Sequence, residues 1–231
     1  MKIMNYEILN IKTGGAMKRN CFLLFAGYFS LLAILLAGCG GGGPGSPGSS
    51  GSENTGIMVD ASAPVGSYNG AATNSVDAFQ GLCGTPPSTT DEFFADHQAT
   101  VTFTARLLNP GSDFQAGKLY IEKYTVEFRR SSDSIGAPPI ESDTRYQTIE
   151  IPAPIGASEV VVTTDIRFVD LIRKIQYSQD MLSGSYSSGP YYINNYTAIF
   201  TFKGQNEFGE SFKVKTQMDF QIGNFNHCQA G

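Results

Sequence analysis

Between Val101 and Leu107 the side chains alternate: Val101, Phe103, Ala105 and Leu107 are apolar, while Thr102, Thr104 and Arg106 are polar. A period of two places one face of a strand in a core and the other in water. The next run, Leu119, Ile121, Tyr124, Val126 and Phe128, keeps this pattern with a slip near Lys123 that predicts a β-bulge. Shorter runs follow at Tyr146–Ile151, closed by Pro152 and Pro154, and at Glu159–Val169. The clearest hairpin joins Tyr196–Lys203 to Ser211–Ile222 through Gly204–Gly209, and a first strand near Ser75–Leu82 brings the expected number to seven. Seven strands punctuated by turns, with little helix, predict an all-β antiparallel sandwich. One helical signal interrupts them: Phe168, Leu171, Ile172 and Ile175 fall at i, i+3, i+4 and i+7, with Arg173 and Lys174 outward. This predicts a short helix within 168–177, against a competing reading in which a strand continues to Leu171 and a loop follows.

Ahead of the strands, Lys18 and Arg19 precede an apolar run from Phe22 to Ala37 that closes on Leu36-Ala37-Gly38-Cys39. The run falls short of the ~20 residues that cross a bilayer and has the basic, apolar, small-residue layout of an export signal. Leu-Ala-Gly-Cys resembles the lipobox of bacterial lipoproteins, the site cut by lipoprotein signal peptidase. The resemblance implies that residues 1–38 are removed and that Cys39 becomes the first residue. Its sulfur would carry a diacylglycerol thioether and its amine an acyl chain, holding the protein to a membrane. At about 0.8 kcal/mol per buried CH2, several chains anchor for practical purposes permanently. The competing reading is an uncleaved membrane anchor with a coincidental Cys. Met17, directly before the basic pair, is the better start of such a signal than Met1. Gly40 replaces the Asp that retains enterobacterial relatives at the inner membrane, so the resemblance implies an envelope protein of the outer membrane.

Residues 39–56 read as a lipidated Cys and a Gly/Ser/Pro tether, since Gly40–Gly56 has no aromatic side chain and a single charge, Glu53. A Gly/Ser coil of this length spans roughly 20 to 25 Å. The rest, 57–231, is the size of one domain. Beyond residue 39 the chain has 12 basic against 20 acidic residues and no basic stripe, which argues against nucleic acid as a partner. With Cys21 in the signal and Cys39 lipidated, Cys83 and Cys228 remain, and outside the cytoplasm such a pair is expected to be a disulfide. Strand order, the third strand Lys123–Phe128 and the long final hairpin resemble immunoglobulin-like and fibronectin type III domains over Ser75–Gly223. The chain departs from them in having no Trp and no Cys pair across the two sheets. The resemblance implies that Tyr196 is a corner tyrosine at the start of the sixth strand.

Catalytic motifs are missing from the sequence. The two histidines, His97 and His227, lie at opposite ends of the strand region, with no Gly-x-Ser-x-Gly, His-Glu-x-x-His, phosphate loop or calcium loop. Asp91, Glu92, Asp96 and His97 gather around Phe93-Phe94 and read as a solvated turn feeding a strand rather than as metal ligands. No catalytic residue, metal ligand or cofactor is assigned. One stretch stands out: Ser183–Tyr196 sets Tyr186, Tyr191, Tyr192 and Tyr196 among Ser, Gly and Asn, the composition of adaptable binding loops. The competing reading is a structural lid. The expected function is a non-catalytic binding module for a protein or a surface polymer. The alternatives are a structural subunit of an envelope assembly joined through strand edges, and an enzyme acting on glycans through carboxylates.

Overall fold

The computed structural model describes residues 50–111, 116–226 and Cys228. The export signal, Met17, Cys39, the tether as far as Ser49, and His227 lie outside these residues. Two sheets face each other. The first runs β1 (Ser50–Gly51), β13 (Ser211–Gly223), β12 (Asn194–Asn206), β9 (Leu119–Arg130) and β10 (Asp143–Ile151), with β5 (Ser75–Asp77) also paired to β13. The second runs β11 (Val160–Val169), β8 (His97–Leu107), β3 (Val65–Tyr68) and β4 (Ala71–Ala72), with β2 (Ile57–Ala61) also on β8. A separate hairpin joins β6 (Leu82–Thr85) to β7 (Ser88–Asp91). All pairings are antiparallel apart from β5 on β13. The expected all-β antiparallel sandwich is therefore the fold.

Alternation builds the core as read from the sequence. Val101, Phe103 and Ala105 are fully buried, and Phe103 of β8 meets Phe202 of β12 edge to face at 4.9 Å between ring centroids. Phe168 of β11 and Phe220 of β13 make a second T-shaped pair at 4.7 Å. Tyr124 crosses between the sheets with its polar end satisfied, its hydroxyl accepting from the Arg167 N–H at 2.9 Å. The bulge expected near Lys123 is present: Lys203 pairs with Lys123 but Gly204 with Ile121, leaving Glu122 as the extra residue. There β12 passes so close to β9 that a Cβ on Gly204 would collide with the Tyr120 carbonyl.

The first strand differs from expectation. Within Ser75–Leu82 only Ser75–Asp77 pairs with the sandwich, and Leu82 belongs to the separate hairpin. The edge of β8 is instead covered by β2 and β3 in succession, broken at Ser62-Ala63-Pro64, and Ile57, Val59 and Ala61 join the core. Order also begins earlier than Ile57. Ser52 is buried with its hydroxyl accepting from the Val59 N–H at 2.9 Å, and Thr55 is buried beside it.

The helix, α1, spans Leu171–Leu182 rather than 168–177, because Phe168 and Val169 stay on β11 and Asp170 caps the first turn by accepting from the Arg173 N–H. Its inward face is also different. Lys174, Tyr177 and Met181, at i, i+3 and i+7, are buried, whereas Ile172 is 72% exposed. The expectation that Lys174 points outward is therefore corrected: it is fully buried, and the contacts that hold it there are described below.

Candidate functional site

The register of β13 gives the sandwich two poles. Ser50, where the described chain begins, pairs with Val214, and Val76 pairs with Ile222. Eight residues of strand at about 3.4 Å each separate these levels by roughly 27 Å. At the Val214 pole the chain enters beside the tight β12–β13 turn. At the other pole lie α1, the tyrosine segment, the turn between β3 and β4, the segment 92–96 and the disulfide.

The tyrosine segment divides. Tyr191 is 75% exposed, Tyr192 stacks on Phe79 at 5.0 Å, and Tyr186 is half-buried against the core. Tyr191 and Tyr192 both adopt left-handed backbone, with φ of 59° and 60°. Bulky side chains rarely do so, and the strain persists only where neighbours fix the chain. Here the Tyr177 hydroxyl donates to the Tyr192 carbonyl at 2.8 Å, and the Asn224 N–H donates to that of Tyr191 at 2.9 Å. Tyr196 is no part of this surface. It is fully buried on β12, donates to the Pro138 carbonyl at 2.5 Å and packs on Phe220. An inward position on an alternating strand outweighs its membership of a tyrosine-rich stretch, and its partner in the β9–β10 connection is not the nearby backbone that a corner tyrosine bonds.

Beneath the same pole lies a buried polar cluster that the sequence reading missed. Asp77, Glu92, His97 and Lys174 are all buried. The Lys174 ammonium donates to the Ala95 carbonyl at 2.7 Å and sits over two rings, 4.7 Å from Tyr68 and 4.3 Å from Phe94. Burial holds its pKa down at about 8, against the pull of Asp77, Asp96 and Glu92. Burial likewise pushes the Asp77 carboxyl up to about 6, although the Phe225 and Phe79 N–H groups donate to it. Tyr68 stacks on His97 at 4.0 Å, nearly parallel. The reading of Asp91–His97 as a solvated turn feeding a strand holds for Asp91, which is exposed, but is corrected for Glu92 and His97, which face inward while Phe93 is 52% exposed.

Comparison with known proteins adds little to this geometry. No family model matches the chain, and no curated protein matches it either. Among solved structures, one of a late embryogenesis abundant protein is similar at 10% identity and a TM-score of 0.27, over 55% of this chain and 60% of that one. An X-ray structure of a Northeast Structural Genomics Consortium target is similar at 11% identity and a TM-score of 0.24, over 76% of this chain and 94% of that one. Neither likeness is close enough to bear on fold or function.

Two further features complete the pole. Cys83 on β6 and Cys228 are disulfide-bonded with Cα atoms 5.4 Å apart, tying the chain after β13 to the small hairpin rather than joining sandwich edges. A polar cleft of about 530 Å3 opens between the β3–β4 turn, Phe93 and the outer face of β8. Asn69 and Gly70 both have positive φ in that turn. Asn-Gly is a favoured pair for a two-residue hairpin, so the turn that makes this wall of the cleft had a local signal in the sequence. Among the described residues no three His, Cys, Asp or Glu side chains are placed to hold a metal ion.

Proposed function

We propose that this protein is an envelope lipoprotein, anchored through lipid on Cys39, whose immunoglobulin-like sandwich is a non-catalytic binding module. Its recognition surface is the pole carrying Tyr191 and Tyr192. The observation that carries this reading is the polarity of the fold. The chain enters at Ser50, eleven residues after Cys39, and the aromatic loop lies at the opposite end of β13. A partner, protein or surface polymer, would meet the loop on the side away from the membrane. Strand order supports the immunoglobulin-like reading: β2–β3, β8 and β11 form one sheet and β13, β12, β9 and β10 the other, as in that class. Tyr191 is the natural anchor, because its backbone is already fixed and its ring lies open to a partner.

Site-specific photo-crosslinking in intact envelopes tests the reading. A crosslinker at Tyr191 should yield a discrete adduct that one at Phe208, exposed in the β12–β13 turn, does not. Adducts from position 208 alone would overturn it. The anchor has its own test: the mature N-terminus should be a lipid-modified Cys39 by mass spectrometry, and Cys39→Ser should leave an uncut precursor.

A further inference from the structure

The cleft beside Phe93 has the composition of a sugar site and is braced more firmly than an exposed turn requires. Its floor is the outer face of the second sheet, where Gln98 and Thr100 of β8 lie beside Asp165 of β11. Its walls are the Asn69-Gly70 turn on one side and Phe93 to Asp96 on the other. The buried cluster holds the second wall. The Tyr68 hydroxyl donates to the Phe93 carbonyl and accepts from the Ala95 N–H at 3.1 Å, while Lys174 donates to the Ala95 carbonyl. Asp96 accepts from the Leu171 N–H at the start of α1, 2.8 Å away, and pairs with Arg167 at 3.1 Å. Phe93 is therefore a half-exposed ring on a fixed backbone, tilted 46° to the Tyr68 ring behind it. A lysine without exposure is costly to bury, and here it braces the backbone that carries this ring.

We propose that this cleft binds a neutral oligosaccharide, with the apolar face of one sugar ring against Phe93 and its hydroxyls bonded by Asn69, Gln98 and Asp165. The proposal rests on the reading of this pole as the recognition end and names the class of ligand. A pyranose ring offers a C–H face that packs on an aromatic ring and hydroxyls that both donate and accept. Amide and carboxylate side chains complement those hydroxyls. Charge selects neutral sugars. Asp96 is paired with Arg167 and lies in the field of Lys174, whereas Asp165 accepts from the Thr100 hydroxyl at 2.6 Å and would repel uronic acid or phosphorylated chains entering the cleft.

The full mature protein in detergent is titrated with maltohexaose, cellohexaose, laminarihexaose and chitohexaose, and with polygalacturonate as the anionic control, by calorimetry. At least one neutral chain should bind. Phe93→Ala should weaken that binding about tenfold or more, as truncating an anchor does, with an unchanged circular dichroism spectrum. Gln98→Ala should weaken it too, and Tyr191→Ser should leave it unaltered. If none of the neutral chains binds, if polygalacturonate binds instead, or if Phe93→Ala binds as the wild type does, the proposal is overturned. Crosslinking at Tyr191 is independent of these results, so recognition by the pole can stand when the sugar site fails.

Discussion

Lys174 shows how one residue can reverse a face read from its neighbours. Its flexible stem lets the ammonium reach a carbonyl and two rings, and those contacts offset part of the desolvation that lowers its pKa. Asp77, beneath the same pole, makes a pH-dependent prediction. Its pKa is raised to about 6 by burial, so between about pH 4 and 6 the folded protein holds a proton that the unfolded chain has released. The folded state binds more protons there, and this carboxyl makes stability fall as pH rises through that window. Asp77→Asn removes the effect, so its urea midpoint relative to wild type should climb across the window and level off above it. Parallel midpoint curves would refute the assignment. Tyr177 gives a second prediction. Its hydroxyl donates to Tyr192 and accepts from Asn194, so Tyr177→Phe leaves buried polar groups unmet and should cost about 1 to 3 kcal/mol in urea unfolding. The backbone around the Tyr191–Tyr192 pair should exchange hydrogen faster in the same variant.

At the scale of an element, α1 is set by its start. Asp170 caps the Arg173 N–H and accepts ion pairs from Arg145 at 2.6 Å and Arg173 at 2.8 Å with almost no exposure of its own. Burial by itself would raise its pKa, but the Arg173 N–H and the two guanidinium groups outweigh it and leave the pKa lowered. Asp170→Ala should cost roughly 2 to 4 kcal/mol, since it loses a cap and uncovers two cations. Asp170→Asn, which can still cap, should lie between that variant and wild type. Equal midpoints for Asp170→Ala and wild type would mean that tertiary packing alone fixes the helix. Ile172→Lys, on the exposed face, should change stability by less than about 0.5 kcal/mol.

For the whole molecule, the disulfide closes a long loop but holds only a small part of the fold. Cys83 and Cys228 are 145 residues apart, and the chain-entropy model gives up to about 5 kcal/mol for such a loop. The two sheets bury their core without it. Cys83→Ser with Cys228→Ser should therefore lower the melting temperature yet leave a folded sandwich. Hydrogen exchange should speed up in β6, β7 and the chain beyond β13, while β8, β9 and β12 stay protected. Loss of protection throughout would show that the staple holds the sandwich itself.

The period-two pattern was by itself enough to determine the class of fold, the strands from β8 onward and a bulge near Lys123, because burial on one face of a strand is a local property repeated along the chain. Cysteine count likewise identified the bonded pair. The sequence also marked the stretch that holds Tyr191, but not which of its tyrosines are exposed. Only the packing of sheets and helix decided that Tyr196 turns inward and that Phe93, rather than Glu92, faces solvent. The same packing decided that Lys174 is buried at a position whose neighbours Ile172 and Ile175 look better suited to a core. These outcomes depend on partners distant in the chain, Ala95 for Lys174 and Pro138 for Tyr196, and no local periodicity carries the energy of a contact that forms only when the pole closes.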